Sequence, residues 1–368
     1  IVSRTYNAAS AEQTGTFGLS VPAMSVAAGV RPQSAAASNF LADLRHDASF
    51  RTNLTVANLK AETAEVEVIF RDAAGNVVGS PAKITVEGRG VKQLGSVLSA
   101  APATGDAPSG GAGWSSPISH FSAEVKLKRG SGVYPYATVI DQGTGDSIVV
   151  APTARPSATY RLPGIVRLMG QSGKYWVSDV AVLNPSAKTR KVRVTYSYVR
   201  SGTSLRIDAA QTVTLNPNQL LVGVDFVRTW LGLAENDPSG YASSYVDIAP
   251  APDDPAPTEP LVVVGKTYIP SGNGSVGLQV DPYVLEDGMS QQGSRRRLVL
   301  SGLEANSRSR TNVALFLTPG STGSIQVDVH VLDSFGRESK KIAFVGLNDA
   351  NPFVQLDSAV LFANLSTD

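Results

Sequence analysis

Three stretches of this chain follow one pattern: Arg51-Thr-Asn-Leu-Thr-Val-Ala-Asn-Leu59, Val177-Ser-Asp-Val-Ala-Val-Leu-Asn-Pro185 and Arg310-Thr-Asn-Val-Ala-Leu-Phe-Leu-Thr318. Each opens on polar residues and continues in apolar alternation, the period of a half-buried strand. The steps from Asn53 to Asp179 to Asn312 are 126 and 133 residues. That spacing is the size of a domain and far longer than a solenoid repeat, so the chain is confined to domains in series.

The correspondence continues downstream. Val66 to Phe70, Val192 to Tyr196 and Val327 to Val331 each alternate and then meet a glycine-bearing turn, at Gly75, Gly202 and Gly336, which reads as a hairpin with one buried face. A further strand follows at 83–86, 212–215 and 341–344, then an apolar stretch at 93–98, 223–227 and 355–360 that predicts a short helix. The first two copies add closing strands at 121–127 with 133–140, and at 244–248 with 261–268. The second copy runs on into 274–280.

No closing strands follow in the third copy, whereas Ile1 to Tyr6 and Gly15 to Val21 repeat the pattern of 261–268 and 274–280, with Thr5-Tyr6 standing where Thr267-Tyr268 stands. The division expected is a donor segment at 1–30, β-sandwich modules at 40–156 and 157–290, and an incomplete module at 291–368. The first residue is Ile1 and not Met, which leaves a processed form and a fragment both open.

Frequent turn formers, 34 Gly and 22 Pro in 368 residues, favour sandwiches over helical bundles, and 42% hydrophobic content suffices for two or three cores. A net charge of +1 argues against nucleic acid as partner, and Arg295-Arg-Arg297 reads as a solvated basic run. With no cysteine there are no disulfides and no thiolate metal sites. No apolar run reaches the roughly 18 to 20 residues of a membrane span.

Catalytic and metal constellations are not expected, and no cofactor is implied. His46, His120 and His330 share no ligand spacing, and no Gly-x-Ser-x-Gly turn occurs. The pairs Asp253-Asp254 and Glu286-Asp287 read as solvated loops. Asp141-Gln-Gly-Thr-Gly-Asp146 has oxygen ligands at calcium-loop positions but lacks the later bidentate carboxylate, so it reads as a turn. The proline-rich stretch 249–260 reads as a stiff connection, with a polyproline docking motif as the other possibility.

The patterns Arg51 to Asn58, Phe70-Arg-Asp-Ala-Ala-Gly-Asn-Val-Val78, Ser3-Arg-Thr-Tyr-Asn7 and Gly15-Thr-Phe-Gly18 resemble tandem Ig-like β-sandwich repeats of large secreted or surface-exposed bacterial proteins. The resemblance implies an all-β chain of antiparallel sandwiches, extracellular or at the cell surface, without a shared active site.

A third module without closing strands would expose a sheet edge and an apolar face, an aggregation hazard unless covered. The expectation is therefore a filament subunit, joined head to tail to neighbouring copies by donor-strand complementation. Val2, Arg4, Tyr6 and Phe17 are the expected donor contacts. Val313, Leu315, Val327, Val329, Val331 and Phe344 are the expected acceptor groove. The alternative is a piece of a monomeric surface array acting as a stalk, or an adhesin binding surface glycans through Trp114, Tyr175, Trp176 or Trp230.

Overall fold

The computed structural model describes residues 2–6, 18–22, 38–98, 117–152, 156–170, 173–203, 205–235, 237–271, 274–284, 298–300, 303, 311–318, 323–333, 335–349 and 351–362. The chain is all-β, built of antiparallel sheets. It opens with a hairpin of β1 (Val2–Tyr6) and β2 (Gly18–Pro22), for which the backbone is described and the side chains are not.

The first unit comprises β3 (Ser38–His46), β4 (Phe50–Asn58), β5 (Ala64–Asp72), β6 (Val77–Val86), β7 (Val91–Leu94), β8 (Ile118–Arg129), β9 (Val133–Asp141) and β10 (Ser147–Val150). These form two four-stranded sheets, β3-β8-β5-β6 and β10-β9-β4-β7. Alternation does the sorting: in β5, Val66, Val68 and Phe70 are buried while Glu65, Glu67 and Ile69 are half-exposed. The inward residues of both sheets, among them Leu41, Phe70 and Phe121 against Leu54, Val56 and Val139, make one core between them.

The second unit comprises β11 (Tyr160–Pro163), β12 (Leu168–Met169), β13 (Tyr175–Leu183), β14 (Arg190–Arg200), β15 (Arg206–Leu215), β16 (Leu220–Gly223), α1 (Phe226–Leu231), β17 (Tyr241–Pro250), β18 (Val262–Ser271) and β19 (Gly274–Val280). Its sheets run β11-β17-β14-β15 and β16-β13-β18-β19, with β12 on the start of β13. Strand for strand this is the order of the first unit. Even the kink is shared: Asp43 in β3 and Gly164 just past β11 hold left-handed φ values of 57° and 69° at matching places.

The third unit comprises β20 (Val313–Phe316), β21 (Ile325–Leu332), β22 (Glu338–Leu347), β23 (Phe353–Leu356) and α2 (Ser358–Phe362). β20 pairs with β23 as β13 does with β16, and β21 with β22 as β14 does with β15. Val313, Leu356, Val345 and Leu361 meet in a small core between the two pairs. Val331 is buried, and Val327 and Val329 are half-buried, so the face expected to lie bare is partly covered. Leu298, Val299 and Leu300, in the sequence position of β3 and β11, belong to no strand and are 55%, 71% and 63% exposed.

Of the three stretches predicted as short helices, 223–227 and 355–360 begin at the ends of β16 and β23 and overlap helices that start three residues on, at Phe226 and Ser358. In the first unit 95–98 is a turn: Ser96 takes a left-handed φ of 46°, and the Val97 N–H donates to Thr52 O, which closes the chain before a helical ladder starts.

Candidate functional site

The repeated pattern has a structural cause. In each unit one amide or carboxylate oxygen caps the turn that follows the short partner strand: Asn53 Oδ1 accepts the Ser96 N–H at 2.9 Å, Asp179 Oδ1 that of Asp225 at 2.9 Å, and Asn312 Oδ1 that of Ser358 at 3.3 Å. The residue before it ties the same strand to the first strand or the segment just past it: Thr52 Oγ1 exchanges hydrogen bonds with the backbone of Arg45 in β3, and Ser178 Oγ with that of Val166 after β11. Five positions on, Asn58 donates to the carbonyls of Glu62, Val86 and Glu87, and Asn184 to those of Lys188, Leu215 and Asn216. Asparagine suits this place because one buried NH₂ can satisfy carbonyls that turns leave without backbone partners.

The densest polar cluster lies where the first two units meet. Phe40 and Ala42 on the outer face of β3 pack on Ala181, Leu183, Leu220, Val262 and Val264 of the second unit. Around this patch Arg45 reaches Asp179 Oδ2 at 2.8 Å, His120 Nδ1 bonds Asp43 Oδ1 at 2.6 Å, and the Tyr268 hydroxyl donates to Asp179 Oδ1 at 3.1 Å. Burial works against the Arg45 charge, but Asp43 and Asp179 outweigh it and hold the guanidinium above its usual pKa. Lys266 lies over the rings of Phe50 and Tyr268. Burial, with Arg45 beside it, pulls its pKa below the usual lysine value despite three nearby aspartates.

The turn that resembled a calcium loop belongs to the same joint. Asp141 Oδ1 accepts the N–H groups of Gly143 and Thr144 within its own turn, while Oδ2 accepts the N–H and hydroxyl of Ser275 at 2.7 and 3.0 Å. Asp146 Oδ2 accepts the Gly277 N–H, and desolvation raises its pKa. Both carboxylates are thus turned to the next unit's hairpin. The β5–β6 turn touches the second unit as well, with the Leu220 N–H donating to Ala73 O at 3.0 Å.

A second joint connects the second unit to the third. Arg161 grips Asp247 through Nε and Nη2 at 2.6 and 2.7 Å, stacks on the Tyr245 ring and donates through Nη1 to Leu317 O, while Tyr283 meets Phe316 edge-on. In both joints an arginine from the first strand of one unit reaches the strand of the next unit that carries or follows the capping residue, β13 at Asp179 or the end of β20 at Leu317.

Of the expected groove residues, Val313, Leu315 and Val329 share one cluster, whereas Phe344 lies in β22 with its side chain outside the described residues. Val2, Arg4 and Tyr6 lie on β1, paired with Pro22, Ser20 and Gly18 of β2. Phe17, Trp114, Arg295 to Arg297 and Glu286-Asp287 fall outside the described residues. Among the aromatics, Trp230 stacks on Phe226 and its indole N–H donates to Ala209 O, and Tyr175 lies under Arg167. Trp176 is half-buried on β13.

One loop reading changes in part: Asp253 is exposed as expected, and its neighbour is not. Asp254 is buried: its carboxylate bonds Arg190 Nε at 2.8 Å, and both side chains are fully shielded. The proline-rich stretch folds around that guanidinium, which also donates to Glu259 O, with Ala251 and Ala256 buried. A solvated loop was expected because Asp253-Asp254 has proline and alanine neighbours; its partner lies 64 residues away and left no local signal.

Among the described residues no group of His, Cys, Asp and Glu could hold a metal ion, and no helix is long and apolar enough to cross a membrane. No protein-family model matches the chain, and no curated protein sequence matches it.

Proposed function

We propose that the protein is a structural subunit of an extracellular or cell-surface filament, made of Ig-like β-sandwich units in series and extended head to tail by strand complementation. One observation carries this reading. β1 and β2 pair Thr5 with Leu19 and Tyr6 with Gly18, as β18 and β19 pair Thr267 with Leu278 and Tyr268 with Gly277. The chain thus holds a hairpin of the kind that completes the second unit, and no such hairpin is among the third unit's described strands. A buried ion pair across the first joint, Arg45 with Asp179, and a bond from a buried arginine to the Leu317 carbonyl across the second fit a part whose task is to hold shape.

Electron microscopy and light scattering on the full chain and on a variant lacking residues 1–30 test this. Filaments or large oligomers lost on deletion support it; a monomer in both samples sinks it.

A second reading, a stalk-like surface array, is favoured by a different observation. In the second unit β17 lies between β11 and β14, and the third unit has no counterpart of it among its described strands, beside the exposed residues 298–300. A two-stranded hairpin leaves that place open, whereas a unit completed in line fills it.

A further inference from the structure

The internal repeat supplies a template for the contact between copies. β20 aligns with β13 in two independent ways: Val313 pairs with Leu356 as Val180 pairs with Gly223, and Asn312 caps Ser358 as Asp179 caps Asp225. β1 aligns with β18 through the shared hairpin register. In the second unit β13 and β18 pair Ser178 with Thr267, Asp179 with Lys266, Val180 with Gly265 and Ala181 with Val264.

We infer that β1 of one copy pairs antiparallel with β20 of a second copy in the register Thr5 to Thr311, Arg4 to Asn312, Ser3 to Val313 and Val2 to Ala314. This rests on the filament reading and adds its partner strand, direction and register.

The register also reassigns the donor faces. Val180 belongs to the sandwich core, whereas Ala181 and Val264 belong to the patch between units. Ser3 and Thr5 therefore take core-facing places, and Val2 and Arg4 take the places of Val264 and Lys266, which face the neighbouring unit. Arg4 keeps the positive charge that Lys266 supplies at the joint, now opposite a neutral amide, Asn312, in place of Asp179.

A second copy is the occupant because the contact continues a junction the chain already makes. β2 lies against β10, as β10 lies against β19. A hairpin seated in a neighbour's third unit therefore sets that unit on the first unit as the first is set on the second. A contact that repeats the internal step is heterologous and open-ended.

The chain has no cysteine, so engineered thiols are unique. On the template the Ser178 and Thr267 hydroxyl oxygens lie 2.8 Å apart, side by side as a disulfide requires. Full chains carrying Thr5→Cys alone and Thr311→Cys alone are mixed, oxidised and run on a non-reducing gel. The register requires a covalent dimer across copies, at least about tenfold more abundant than from Thr5→Cys mixed with Val313→Cys, one step along the same face. Ser3→Cys with Val313→Cys is the second matched pair, should Thr311→Cys fail to fold.

Equal or greater yield from the shifted pair overturns the register while leaving the filament reading intact. Polymers without cross-copy disulfide in either matched pair overturn the β1–β20 contact and place the assembly surface elsewhere. Monomers throughout overturn both.

Discussion

Arg45 reaches from β3 into the second unit and bonds the carboxylate of Asp179 at 2.8 Å, with both side chains almost wholly shielded from water. Asp179 is at the same time the residue that caps its own unit's turn at Asp225 and accepts the Tyr268 hydroxyl. One carboxylate therefore serves both the fold of its unit and the joint to the preceding one.

Arg45→Met removes the charge that compensates Asp179 and keeps most of the volume. Breaking a buried pair from one side costs about 3–5 kcal/mol. Denaturant unfolding should show this loss, and Arg45→Met with Asp179→Asn should lose less than the two single variants summed.

Asn58→Ala and Asn184→Ala each leave carbonyls of two turns without their donor. Each should cost about 2–3 kcal/mol, measured by the unfolding midpoint, with similar effects in the two units because the bonds are the same. A large difference between them would mean that the equivalence is geometric and not energetic.

Gly75 sits at φ 93° in the β5–β6 turn, and a Cβ there would meet Pro217 O of the second unit at 2.9 Å. Gly75→Ala thus combines a left-handed backbone cost of roughly 1–2 kcal/mol with a push on the joint. Proteolysis between the first two units should speed up more than global stability falls.

Burial alone would push the Asp254 carboxyl up. The bonds from Ala256, Arg190 and Lys191 win, and its pKa lies below the usual carboxylate range. A depressed folded value means stability that is fully present above the unfolded pKa near 4 and is lost as pH falls through the folded one. Unfolding free energy of the parent should therefore decline below about pH 4 more steeply than that of Asp254→Asn, which lacks the titrating group.

The strands were legible because half-buried strands write their burial as alternation, as in Val66, Val68 and Phe70. The unit repeat was legible because the same capping and clamp positions recur: Asn53, Asp179 and Asn312, and Asn58 with Asn184. The missing helix at 93–98 was not, since an apolar stretch fits a strand end with a turn and a short helix equally, and the pairing of Leu94 in β7 with the bond from Val97 to Thr52 decides between them.

Sequence by itself thus determined which residues face inward and where chains turn, because these depend on neighbours two to five positions apart, and that one unit recurs, because the same local pattern returns after 126 and 133 residues. Tertiary structure alone decided what the polar residues at strand ends and turns do. Arg45 and Asp179 are 134 positions apart, Asp141 and Ser275 likewise, and Arg190 and Asp254 are 64. Such residues look solvated in sequence because charge normally stays in water. They are buried here because folding brings an opposite charge or a set of N–H groups to each, which offsets the loss of hydration.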